Sequence, residues 1–193
     1  MYGGTCATEN RTMSELSHFD ETGASRMVDV SDKETSLRIA RASGVVTMRP
    51  ETLELVRDRR LSKGDVLEVA RLAGIMAAKR TGELIPLCHP LGLDAAEVSF
   101  TPVEPDGIRV DSRVTTRGRT GVEMEALVAV SVACLTIYDM CKGTDREMVI
   151  GAIQLEEKSG GRRGHYQRNQ AAEPAEGAGE PGPRRDPSPR REA

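Results

Sequence analysis

Tryptophan is absent from the 193 residues, and only three Tyr and two Phe are present. RNA-binding sheets of the common small folds stack bases on aromatic rings. No expected strand here carries an aromatic cluster, which counts against an RNA-binding or regulatory module. Cysteine is scarce too. Cys6, Cys88, Cys134 and Cys141 have neither the density of a disulfide scaffold nor the spacing of a zinc pair. Charge is not biased to one sign, the formal net charge being −3, so nothing global argues for nucleic acid or an anionic membrane. The longest apolar run, around 126–138, is short for a bilayer span, and the opening MYGGTCATENRTM has no apolar h-region. The expectation is a reduced, cytoplasmic protein. Several motifs are missing: there is no Walker-type glycine loop, no G-x-G-x-x-G after a strand, no HExxH and no G-x-S-x-G.

What is there suffices for one domain with a sizeable core. From Asn169 onward the chain holds five of the ten prolines and no apolar side chain larger than Ala. Such a stretch cannot bury enough surface to offset its ordering entropy, so 169–193 is expected to be a disordered tail. Residues 1–16 look similarly loose, leaving 17–168 as the working domain.

Six segments stand out within it. Residues 35–48 are ambiguous. Ser31 with Glu34 resembles a capping box and favours helix, whereas Val45-Val46-Thr47 and the alternation of Leu37 and Ile39 with Arg38 favour strand. Residues 65–80 predict a helix, with Val66, Val69/Ala70, Ala73 and Met76/Ala77 on one face and Gly82 as its stop. A shorter helix at 51–58 is expected before it. Strands at 95–103 and 107–116 meet across Glu104-Pro105-Asp106-Gly107, which is hairpin chemistry. Residues 121–141 predict a second long helix, opened by a Thr120/Glu123 capping box, and 148–155 a last strand. The order β-α-β-β-α-β is the split, ferredoxin-like α+β arrangement, an antiparallel sheet with two long helices on one face. From Ala126 to Ile137 only Ser131 and Thr136 are polar. A helix lying on one sheet should show a polar face, so this one points to a partner subunit rather than to deep burial alone.

Three clusters carry chemistry. In LIPLCHPL, residues 84–91, prolines bracket Cys88-His89 in a stiff connector. It is either an ordinary turn or a pocket wall whose imidazole donates to an anion. In GVEMEAL, residues 121–127, glutamates in a first helical turn suit the helix dipole, but the i,i+2 spacing sends one of them inward. In YDMCK, residues 138–142, Asp139 and Lys142 form either a surface ion pair or an acid/base unit. Cationic stretches at 57–65 and 158–164 are solvated loops or phosphate contacts.

KGDVLEVARLAGIMAAKRTGELIPLCHPL, GVEMEAL, LTIYDMCK and the closing KSGG, in this order, resemble the cyclic pyranopterin monophosphate synthase family. The resemblance runs from about Leu16 to about Gly164. It implies strand for 35–48, a hexamer built as a trimer of dimers, and a lyase of molybdenum cofactor biosynthesis. That enzyme converts (8S)-3′,8-cyclo-7,8-dihydroguanosine 5′-triphosphate to cyclic pyranopterin monophosphate with release of diphosphate. Lys63, Asp139 and Lys142 match catalytic positions. Leu87, Cys88, His89, Met124 and Glu125 match substrate-binding ones, with Glu123 beside them, and Arg38 is a phosphate contact. No metal site and no cofactor is implied, beyond any Mg²⁺ that accompanies the triphosphate.

Overall fold

In the computed structural model, described over residues 22–61, 64–161 and 164–168, the ambiguity at 35–48 resolves to strand. β1 (Ser36–Thr47) alternates its side chains between two faces, as β-branched residues favour. Ser31 caps no helix. It closes a turn in which Asp29 Oδ1 accepts from the Ser31 N–H at 2.8 Å.

The remaining elements are α1 (Pro50–Arg57), α2 (Val66–Ala78), α3 (Thr81–Leu84), β2 (Ala95–Val103), β3 (Gly107–Gly118), α4 (Glu123–Cys141), β4 (Val149–Ser159) and β5 (Tyr166–Gln167). The sheet order is β2-β3-β1-β4-β5 and all pairings are antiparallel. Each α2 and α4 crossover therefore skips one strand, which is the interleaved split β-α-β topology expected of the ferredoxin-like class. β5 is an addition that the pattern did not announce, and Gly82 does not stop α2. That helix ends at Ala78, and Gly82 lies inside α3.

Small residues set how closely the layers approach. Ala40, Ala42 and Val46 of β1 are buried under α4. A Cβ on Gly44 would stand 2.8 Å from Val130 Cγ1. Between the helices, a Cβ on Gly74 of α2 would stand 2.8 Å from the Ala129 carbonyl oxygen of α4, a backbone atom that cannot turn aside. Leu53, Ile108 and Ile137 are the largest fully buried side chains, each stabilising the fold by about 1.5–3 kcal/mol. Burial pushes the Cys134 thiol up to about 12, so it behaves as a core hydrophobe.

α4 also corrects one expectation. It is 19 residues long with a mean hydropathy of 1.6, and more than half of it is buried inside the protein, as in a core helix. Its N-cap is Val122, without a side-chain cap, so the Thr120/Glu123 capping box does not form. The outward side of α4 lacks a polar face. Leu135 is 58% exposed there, and α2 adds Val69, Leu72 and Met76.

Candidate active site

One end of the sheet opens into a cavity of about 1090 Å³. In an antiparallel sheet the start of β1 neighbours the ends of β3 and β4, with Ser36 opposite Gly118 and Ile39 opposite Ser159. The cavity occupies that corner, between the first turn of α4, the connector at 87–91 and a strap at 28–34.

The connector is stiff for identifiable reasons. Cys88 N–H donates to Ile85 O at 3.0 Å, and a Cβ on Gly82 would meet Pro90 Cα at 3.1 Å, so the loop folds back on α3. β3 then pins its far end. Thr116 Oγ1 donates to Gly92 O, and Asp94 Oδ2 accepts from Arg117 N–H, both at 2.7 Å. This rigidity presents Leu87, Cys88 and His89 to the cavity. His89 Nε2 lies 2.9 Å from Val28 O. A carbonyl can only accept, so Nε2 is the donor in this bond. The same bond ties the strap to the connector.

Arg38 is 9% exposed, and its guanidinium donates from Nε to Gly118 O and from Nη2 to Arg119 O, each at 3.3 Å. The room for it comes from KSGG. Gly160 and Gly161 have φ of +95° and +76°, and a Cβ on Gly161 would collide with the Arg38 guanidinium. Arg38 and the glycine pair are thus one unit, which accounts for two adjacent glycines directly after a strand.

The two glutamates diverge as their spacing requires. Glu123 folds back over Gly121, where any Cβ would strike its carboxylate, and its Oε1 lies 3.5 Å from Lys158 Nζ. Glu125 is 3% exposed. Burial pushes its carboxyl above the ordinary range, and the Glu123 charge adds to that shift. The Cys88 thiol is raised as well, by burial and then by Glu125. Ser36 Oγ, also at the cavity, is buried without a hydrogen-bond partner.

Seven residues singled out in the sequence, Arg38, Leu87, Cys88, His89, Glu123, Met124 and Glu125, therefore meet at one cavity. Asp139 and Lys142 do not join them. They form an ion pair at 2.6 Å at the other end of α4, with both side chains more than half exposed. Within this protomer that is the surface pair, and Lys142 is raised by its hydrogen bond to Asp139. Lys63 lies outside the described residues. Of the arginines in the 57–65 stretch, Arg57 pairs with Glu104, Arg59 with Asp65 and Arg60 with Asp58, as a solvated loop would. Reading residues by type missed the strap residues Val28 and Val30, as well as Ser36 and Arg119. It noted Lys158 only as part of a basic stretch, although the glycine pair beside it was the available signal. Among the described residues no three His, Cys, Asp or Glu side chains are grouped as a metal ion would require.

Residues 27–161 match the MoaC family. Over 154 residues, 80% of this chain and 91% of the other, the sequence is 64% identical to cyclic pyranopterin monophosphate synthase 1 of Mycobacterium tuberculosis. It is 60% identical over 167 residues to the cyclic pyranopterin monophosphate synthase of a Methylobacterium species, covering 84% of this chain and all of that one. The enzyme of the same name from Magnetococcus marinus is 58% identical over 158 residues, 81% of this chain and 97% of its own length.

Proposed function

The chain belongs to the MoaC family, and from that premise we propose that it is a cyclic pyranopterin monophosphate synthase, a lyase of molybdenum cofactor biosynthesis. The observation that carries the reading is the convergence of 87–89, 123–125 and 158–161 with Arg38 on a single cavity. Cations, a carboxylate and a buried carboxyl in one pocket suit an anionic, nitrogen-rich ligand.

The proposed substrate is the cyclic dihydroguanosine triphosphate. Arg38 and Lys158 face its phosphates, while His89 and the two glutamates face the heterocycle and sugar. A substrate hydroxyl attacks the α-phosphorus and the bond to the β-phosphate breaks, so diphosphate leaves and no protein nucleophile is needed. Ring rearrangement needs protons moved on and off nitrogen and carbon, the work assigned to Lys63, Asp139 and Lys142. Any Mg²⁺ would arrive with the triphosphate.

Glu125 and Asp139 lie fourteen residues apart on α4, about 21 Å at 1.5 Å per residue, so one reacting centre cannot touch both within a chain. In the proposed assembly, a cytoplasmic hexamer built as a trimer of dimers, two α4 helices pack antiparallel about a two-fold axis. Glu125 of one protomer then meets Asp139 of its partner. The apolar outer side of the helix layer supports this packing. Incubation with the cyclic dihydroguanosine triphosphate tests the activity. Cyclic pyranopterin monophosphate and diphosphate in equal amounts are expected, and recovery of unchanged substrate would overturn the assignment.

A further inference from the structure

Asp145 follows α4 in the chain, three residues past Lys142, and is 2% exposed. The turn that carries it is closed by Thr144 and Asp145 N–H groups donating to Cys141 O at 2.8 and 3.0 Å. Its carboxylate then reaches across to α1. Oδ2 accepts from the Arg49 backbone N–H at 2.8 Å and from the Thr52 hydroxyl at 3.4 Å. Oδ1 accepts from Glu147 N–H at 3.1 Å and stands 3.5 Å from Arg49 Nε. Arg49 answers by donating from Nη2 to Thr144 O. The N-cap residue of α1, Arg49, makes no side-chain cap bond of its own, and its backbone N–H is taken by a carboxylate 96 positions away. Nearby, Tyr138 donates its hydroxyl proton to Arg146 O at 3.2 Å.

A buried carboxylate is costly unless its lone pairs are taken up, and here they are: backbone hydrogen bonding from Arg49 outweighs burial and holds Asp145 below the ordinary range. The location of the knot matters. The Asp139–Lys142 pair is more than half exposed and needs a fixed last turn of α4 to keep its aim. α1, on the other side of the knot, leads into the segment that contains Lys63.

We infer that Asp145 is a positioning residue for the catalytic half-site, clamping the C-terminal turn of α4 to the N-terminus of α1 so that Asp139 and Lys142 present a fixed geometry to the partner protomer's cavity. The inference rests on the shared-site reading above and assigns Asp145 to the same half-site as Asp139.

Asp145→Asn keeps the size of the side chain but turns an N–H donor toward groups that are themselves donors. Thr52→Val removes one bond of the same knot at constant shape, and it carries the test should Asp145→Asn not fold. In single turnover the variant should lose about tenfold to a hundredfold in rate, the range for misplaced catalytic groups. The half-saturating substrate concentration, set by the cavity, should stay unchanged. Refolding the variant together with Glu125→Ala should restore about a quarter of wild-type activity, because random pairing leaves one intact site in each mixed dimer. Refolding it with Asp139→Ala should restore none. Restoration with both partners or with neither, while the Glu125→Ala/Asp139→Ala control recovers, would overturn the inference. Failure of that control would instead remove the shared-site reading. The inference falls with that reading; where the control does recover, a shift in both the rate and the half-saturating concentration would sink the inference alone.

Discussion

Lys158 Nζ lies 3.5 Å from Glu123 Oε1, whereas Glu125, two residues further along the same helix, has no ion pair among the described residues. One turn of α4 thus gives the cavity a carboxylate paired with a lysine and a buried carboxyl whose pKa burial raises. Under the proposed function these two groups have different tasks, one organising a cation for phosphate and the other offering a buried carboxyl to the heterocycle.

Lys158→Ala should therefore weaken substrate binding more than it weakens the fold. A hydrogen bond to a charged group contributes about 1.5–3 kcal/mol, so the half-saturating substrate concentration should rise by roughly tenfold or more. Unfolding temperature should change little, since the Lys158 side chain sits at a cavity wall. Kinetics across a substrate series, beside a thermal melt, separates the two effects. An unchanged half-saturation would remove Lys158 from the site.

Glu125 gives a pH signature. Its folded value is raised, so the folded protein holds the proton more tightly than the unfolded chain does. Stability from this group is fully present below the ordinary value of 4.5 and is lost as pH rises through the raised folded value. Wild type should lose stability relative to Glu125→Gln over that interval, in chemical denaturation of both proteins from about pH 4 to pH 8. Parallel pH profiles would mean the carboxyl is ionised and paired in the assembly.

Much of this was legible in the sequence because it depends on local rules. The hairpin turn at 104–107, the apolar spacing of 66–78 and the opposed directions of Glu123 and Glu125 follow from periods of two and 3.6 residues. What escaped depended on distant partners. Glu123 fails to cap α4 because the N-cap falls at Val122, which makes Glu123 the first helical residue, and its carboxylate lies instead beside Lys158 of another element. Gly82 fails to stop α2 because it is needed where Pro90 folds back on α3. Asp145 carries no local signal, since its partners Arg49 and Thr52 lie more than ninety positions away. The strap at 28–34 had no periodicity to mark it, and the Val28 carbonyl against His89 ties it to a connector far along the chain.

Gly161→Ala tests the link between KSGG and Arg38. At φ +76° a side chain costs on the order of 1–2 kcal/mol, and here the new methyl would also displace the guanidinium. The variant should remain folded and lose affinity for the triphosphate. Arg38→Ala should lose affinity as well, and the double variant should be little worse than either single one, because both act on one unit. Additive losses measured in this double-mutant cycle would show that the two contribute separately.

The outer side of the helix layer supplies the last test. Leu72 on α2 and Leu135 on α4 are each 58% exposed, with Val69 and Met76 beside Leu72 on the same stripe. Covering a leucine side chain is worth about 1.5–3 kcal/mol, and several together are enough to hold a subunit interface. An aspartate in place of either leucine would cost little in the isolated protomer, where the position is more than half exposed and the loss is mainly helix propensity, but would place an unpaired charge in the interface. Leu72→Asp and Leu135→Asp should therefore keep wild-type secondary structure, sediment as smaller species and lose activity. Raising the protein concentration should return part of that activity as dimers re-form. If a variant sediments as a monomer and still turns over at the wild-type rate, each site is complete within one chain. The separation between Glu125 and Asp139 would then mean that Asp139 takes no part in the chemistry.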